Sequence, residues 1–396
     1  MSDQYRPGDD LPPGPPPTAA AKMAFGERIA AAAAARRRRS ASWRKLPKPA
    51  RIVIGVLGVA VLYYLPYLDF SILRTPKADF VSVLAAPVAV YVIVALGLNV
   101  VVGMAGLLDL GYVGFYAVGA YTLAVVGSAH ASLPWLLCLP VAVAVSMLSG
   151  LLLGAPTLRL RGDYLAIVTL GFGEIIRLLA ERFDWLGAKQ GFSGIAHPPK
   201  IGPIEFGVLD SRSFYWLGLT AAICVYYLLG RLENSRVGRA WTAIREDEDA
   251  AELMGVPTFK FKLWAFAIGA GVGGLAGTLY ASKGNYVAPD LFQLKVSILF
   301  LAAVVLGGPG NRPGVVVGAI VVSYLPDRFR FLDTSRYFWF GVVLVVLMIF
   351  RPQGLWPRRQ HGRRSVPPSQ APPPFEDVKE GDPDLEGGAH GAATPA

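Results

Sequence analysis

The sequence predicts an all-α, polytopic membrane protein, and three observations carry the prediction. Of 396 residues, 53% are apolar and only 17% charged, and the mean hydropathy is +0.44, above the range of a soluble domain. Between Ile52 and Phe350 the apolar residues fall into runs on the scale of the ~20 that cross ~30 Å of hydrocarbon. Basic residues collect in alternate connections between those runs, as they do in membrane proteins of fixed orientation.

Residues 1–50 open the chain as a basic tail expected to be disordered, with Pro12, Pro13, Pro15, Pro16 and Pro17, then alanines from Ala30 to Ala35, then Arg36 to Arg39. The transmembrane domain follows over 51–356. Residues 357–396 form a second tail expected to be disordered, with Arg358, Arg359, Arg363 and Arg364 ahead of a Pro-, Gly- and acid-rich stretch. The first apolar run, Ile52 to Leu68, stands after a basic stretch as a secretory signal would. A fifty-residue leader is too long, and no A-x-A pattern directly follows Leu68, so a retained span is expected.

The further spans are Phe80 to Val102, Leu110 to Ser128, Leu133 to Leu153, Tyr164 to Ala180, Phe214 to Leu229, Leu263 to Ala281, Val296 to Leu306, Gly314 to Leu325 and Arg336 to Phe350. That makes about ten transmembrane segments. The pair at 296–325 is short and broken by Gly307, Gly308, Pro309, Gly310 and Pro313, so it reads either as two crossings or as a re-entrant hairpin, which gives eight with the same parity. With the N-terminus inside, inner segments hold 26 Lys and Arg and outer segments 11, Arg177 within a span completing the 38. Both termini are therefore expected in the cytoplasm.

This charge distribution bears on function. The Arg36 to Arg39 block is explained by topology and anionic lipid, worth about 1 kcal/mol per basic residue near the surface, so no nucleic acid partner is expected. Cys138 and Cys224 lie inside apolar runs and the four histidines have no paired spacing. Neither a disulfide framework nor a metal site is predicted, and the chain offers no catalytic residues and no cofactor motif.

Gly269, Gly273 and Gly277 recur at i, i+4 and i+8 with Gly271 and Gly274 beside them, a face on which another helix packs closely in lipid, statically or as a sliding interface. Gly310, Gly314 and Gly318 make a second row. Among ionisable groups in the spans, Glu174 and Arg177 are spaced i, i+3 and can pair, about 10 Å from the outer end of their helix. Charges at membrane depth are pathway candidates, and Asp109, read equally as a helix cap, joins them with the hydroxyl of Thr169.

The one long inner connection is 231–262. Val237, Trp241 and Ile244 recur at i, i+4 and i+7 with Arg239, Arg245 and the acids mostly elsewhere, which predicts an amphipathic helix at the membrane edge. Arg245 and Asp249 are spaced to pair along it. Asp249, Ala250 and Ala251 follow, the two alanines expected to expose backbone for close contact, and Gly255 is placed to end the helix. Such a helix suits a groove in a partner protein. No G-x-x-x-x-G-K-[ST] phosphate loop occurs, so ATP-driven work would need another polypeptide.

The D-A-A-x-x-x-G at Asp249 to Gly255 resembles the E-A-A-x-x-x-G loop by which permeases of ATP-binding-cassette importers engage their ATPases, with Asp in place of Glu. The wider pattern is similar to the LivM-type permease subunits of branched-chain amino acid importers. It comprises Gly97-Leu98-Asn99, Gly106-Leu107-Leu108-Asp109-Leu110-Gly111, Gly162 to Leu170, Gly238-Arg239-Ala240, Ala243-Ile244-Arg245-Glu246, Val304 to Gly308 and Arg351-Pro352-Gln353-Gly354-Leu355. The likeness covers about 50–356 and neither tail.

The resemblance implies a multi-pass protein of a bacterial-type cell membrane, and as partners a LivH-type second permease, two ATPases and an extracytoplasmic solute-binding protein. Arg239, Trp241, Arg245, Asp249, Ala250, Ala251 and Gly255 would belong to ATPase coupling, and solute would move by alternating access. A urea or short-amide permease of the same family is the nearest alternative. An ion-coupled secondary transporter is opposed by the sparse intramembrane charge and the D-A-A loop. A membrane enzyme would cluster acids or histidines, whereas Glu246 to Asp249 read as a solvated face. The scarcity of charge points to a small neutral amino acid, selected mainly by the binding protein.

The orientation is checkable. Single cysteines within 1–50, 231–262 and 357–396, in a background lacking Cys138 and Cys224, are expected to resist an impermeant thiol reagent applied to intact cells. Ready labelling at position 246 would reverse the assignment.

Overall fold

The computed structural model describes residues 48–67, 80–128, 132–160, 162–200, 202, 205–207 and 210–328, with isolated positions between 335 and 356. Nearly all of both tails and most of the expected span Arg336 to Phe350 lie outside the described residues. Eleven helices are described: α1 Lys48–Tyr64, α2 Phe80–Met104, α3 Tyr112–Val126, α4 Trp135–Thr157, α5 Asp163–Arg182, α6 Ser211–Glu233, α7 Arg236–Glu246, α8 Glu248–Leu253, α9 Thr258–Gly284, α10 Leu294–Gly307 and α11 Arg312–Arg328. Helix is what a chain adopts in hydrocarbon, where each backbone N–H and C=O must find its partner within the segment. Among the described residues, five helical stretches are long and apolar enough to cross a membrane: α2, α4, α6, α9 and Pro289–Gly307. α1 begins at Lys48, inside the stretch assigned to the N-terminal tail.

α9 starts beside α7 and α8 and ends where a two-stranded antiparallel ribbon, β1 Phe192–Ser193 with β2 Tyr286–Val287, pairs Phe192 with Val287 and Ser193 with Tyr286. Beyond that end of α9, the Asn285 side chain accepts a hydrogen bond from the Ile195 amide at 2.7 Å. Elsewhere in the bundle, Arg312 of α11 donates to Glu233 of α6 at 2.7 Å. α1 lies against α6 through Tyr215 and Trp216, which donate to the carbonyls of Leu62 and Tyr63 at 2.8 and 3.2 Å.

α9 is the core helix, packed on α2, α3 and α4. Its glycines serve two faces. A Cβ on Gly269 would lie 2.6 Å from Val101 of α2, one on Gly273 would lie 3.2 Å from the Tyr112 ring of α3, and one on Gly277 would strike the Tyr116 carbonyl. Gly271 and Gly274 face α4 instead, against Met147 and Ser146. The second glycine row closes the α10–α11 hairpin, where a Cβ on Gly314 or Gly318 would strike the Gly307 or Ala303 carbonyl.

α2 is helical throughout but widens twice to π-turns. The first, Leu84–Val88, contains Pro87, whose missing N–H cannot continue the α ladder. The second, Asn99–Met104, ends the helix. Residues 105–111 then run without helix before α3 begins.

Replacing Gly277 with Leu is expected to destabilise the purified protein by about 1–3 kcal/mol through overpacking, read as a lower thermal transition in detergent. Gly284→Ala on the same helix, where an added Cβ meets nothing within 4 Å, should leave the transition in place.

Candidate functional site

The loop 231–262 is built from two helices. Ser235 opens α7, its Oγ accepting from the Val237 and Gly238 amides at 3.2 and 3.4 Å. Trp241 and Ile244 turn inward and are buried, with Val237 partly so, and the Trp241 indole donates to the Phe261 carbonyl at 2.7 Å. The sequence suggests one helix running on to Gly255; the chain instead breaks at Asp247, which is extended (φ −158°, ψ 111°) and caps α8 by accepting from the Ala250 amide at 2.9 Å. Aspartate favours this position because its carboxylate satisfies an amide that has no partner within the helix. The break places Arg245 at the end of α7 and Asp249 in the first turn of α8.

α8 is held by an ion pair between Glu248 and Lys262 of α9, whose side chain is only 4% exposed. Ala250 is exposed, but Ala251 is buried against the protein, so only one of the two alanines offers an open surface. Gly255 follows at φ +82°, which a glycine adopts without strain. Leu253 and Met254 project at the tip, 88% and 85% exposed. Arg239 lies at the rim and reaches the Asn234 carbonyl at 3.3 Å.

Arg245 connects this pair of helices to the break after α2. Its guanidinium donates to the Gly103 carbonyl, and its side chain packs over Gly106, where a Cβ would lie 2.8 Å from Arg245 Cγ. Gly106 has φ +75°. The segment is held along its length: Asn99 Oδ1 accepts from the Gly310 amide at 2.8 Å, and Asp109 Oδ1 accepts from Gly111 at 2.9 Å. Asp109 thus shapes the turn before α3 and does not cap the helix itself. Thr169 of α5 accepts from the Leu110 amide at 3.1 Å, and Ser297 of α10 donates to the Leu110 carbonyl at 2.5 Å.

Leu110 is also one wall of a cavity of about 150 Å³, shared with Val113, Leu170, Gly173, Glu174, Phe292 and Leu294. Glu174 Oε1 takes two bonds from Arg177, at 3.0 and 2.5 Å, and Arg177 reaches Glu181 at 3.2 Å, which in turn meets Lys189 at 3.4 Å. Their side chains are open on one side of α5, Glu174 42% and Arg177 19% exposed. Asp109, Thr169 and Glu174 therefore lie around one break in the bundle, with Arg177 joined to them only through Glu174, while Gly269, Gly273 and Gly277 of α9 pack against Val101, Tyr112 and Tyr116.

Several contributors have no signature in the sequence. Lys262 stands at the end of a loop and Ser297 within an apolar run, and neither spacing points to its distant partner. Leu253 and Met254 do carry a signal, two large apolar residues at the end of a charged stretch.

The family model described as branched-chain amino acid transport system / permease component matches residues 80–351. The high-affinity branched-chain amino acid transport system permease protein LivM of Salmonella typhimurium is 41% identical over 296 residues, 69% of this chain and 69% of the relative. LivM of Escherichia coli K12 is 41% identical over 290 residues, 68% of each chain. A probable LivM of Methanocaldococcus jannaschii is 27% identical over 329 residues, 71% of this chain and 94% of the relative. No solved structure matches. On the family match and the 41% identity alike, the chain belongs to the family of permease components of branched-chain amino acid transport systems.

Proposed function

We propose that this chain forms half of the pore of an ATP-driven importer for branched-chain or other small neutral amino acids. It is a transport subunit and not an enzyme. It resides in the cell membrane with about ten crossings and both termini cytoplasmic, beside a LivH-type second permease, with two ATPase subunits below and an extracytoplasmic binding protein above. The observation that carries the reading is the tip of α8: Leu253 and Met254 stand almost fully exposed on a helix pair anchored by Trp241, Arg245 and Lys262. Large apolar side chains held out rigidly suit insertion into a groove of a partner.

Movement of the ATPases then passes through Arg245 to Gly103 and along 105–111 to Leu110, which Thr169 and Ser297 tie to α5 and α10. Segments that leave helical structure at membrane depth belong where a bundle is buried or lines a water-filled path. The charged stripe on α5 is too costly to face lipid, so that face borders the pathway and the second permease.

Leu253→Asp combined with Met254→Asp is expected to abolish co-purification of the ATPases while leaving the chain in the membrane. Gly255→Arg, which forces a bulky residue to positive φ, should keep the complex assembled enough to hydrolyse ATP but uncouple hydrolysis from uptake. Arg245→Ala removes a hydrogen bond from a charged group, worth ~1.5–3 kcal/mol, and should slow leucine uptake about tenfold without releasing the ATPases. Normal uptake by the assembled Gly255→Arg complex would refute the coupling role.

A further inference from the structure

The cavity beside Glu174 has features that the pathway alone does not require. Its walls are almost wholly apolar: Leu110 from the non-helical segment before α3, Val113 from α3, Leu170 from α5, Phe292 from the turn before α10 and Leu294, the first residue of α10. Phe292 is fixed by ring contacts with Tyr116 and Tyr121 at 5.4 and 5.7 Å, and Leu110 by its bonds to Thr169 and Ser297. The Phe292 ring and the Leu110 backbone are therefore held in place on two sides of the space. At about 150 Å³ it matches the size at which a dry apolar cavity accepts a small hydrocarbon such as benzene, ~150 Å³.

One wall is charged. Glu174 borders the space, and its Oε1 accepts two bonds from Arg177. A carboxylate at the edge of an apolar space suits a molecule that carries an ammonium group on a small hydrocarbon body.

Resting on the transport reading above, we propose that this cavity is the passing site for the side chain of the transported amino acid, with the Glu174 carboxylate at its edge meeting the α-ammonium. The subunit then limits side-chain size itself, downstream of the binding protein. Because Leu110 is both a wall and the end of the segment that Arg245 grips, the site changes shape when the ATPases close. A lipid acyl chain is the competing occupant, and it would bring no preference among solutes.

The test uses the complete complex in proteoliposomes, with ATP inside and binding protein saturated with labelled leucine or labelled valine outside. Leu170→Phe, which fills the cavity, is expected to lower the leucine-to-valine rate ratio about tenfold, the scale at which a pocket discriminates a methylene. Leu294→Ala, which enlarges it at a partly exposed position, should move the ratio the other way. Glu174→Gln should slow both solutes alike. If the unmodified complex takes up neither solute with ATP, the transport reading itself falls. If it transports both and each variant changes leucine and valine equally, the transport reading stands and the passing site is refuted. Should Leu170→Phe fail to assemble, an unchanged ratio in Leu294→Ala refutes it alone.

Discussion

Backbone that leaves a helix within a packed bundle must find its hydrogen-bond partners elsewhere in the fold, and the arrangement around residues 105–111 follows from that constraint. Freed groups find partners from different elements: Leu110 bonds to Thr169 and Ser297, Gly111 to Asp109, and the Gly103 carbonyl to Arg245. Three of those partners come from α5, α10 and α7, so one short non-helical stretch draws three helices together. An unsatisfied buried amide costs several kcal/mol in an apolar surrounding, which makes these contacts a condition of folding.

The glycines of α9 solve a second problem. Lipid supplies no hydrophobic drive for helix association, so close approach of backbones has to provide the attraction. Faces turned to α2 and α3 on one side and to α4 on the other let a single helix organise the bundle. The α10–α11 hairpin repeats the device on a smaller scale, with Gly307, Gly314 and Gly318 in contact.

Much of this is legible in the amino-acid sequence. Several span positions, the glycine face and the inward stripe of Val237, Trp241 and Ile244 follow from composition and period, which are local properties. The Glu174–Arg177 pair also lies within one helical turn. What period does not show is partnership across the fold: Lys262 with Glu248, Ser297 with Leu110, Asn99 with Gly310. The break at Asp247 is hidden because helical periodicity on both sides outweighs the capping preference of one aspartate. The cavity is invisible because its walls are ordinary apolar residues from elements far apart in sequence.

The ion pair that joins α8 to α9 is sheltered from dissolved salt. Lys262 is 4% exposed and Glu248 26%, so mobile ions have little access to the space between them. Screening weakens attraction chiefly between charges open to solvent, over a distance of about 10 Å at 0.1 M salt. A well-solvated pair such as Lys200 with Glu205 loosens as ionic strength rises, whereas the Lys262–Glu248 joint keeps its geometry. The position of α8 against the bundle is thereby less sensitive to salt than a surface pair of the same molecule.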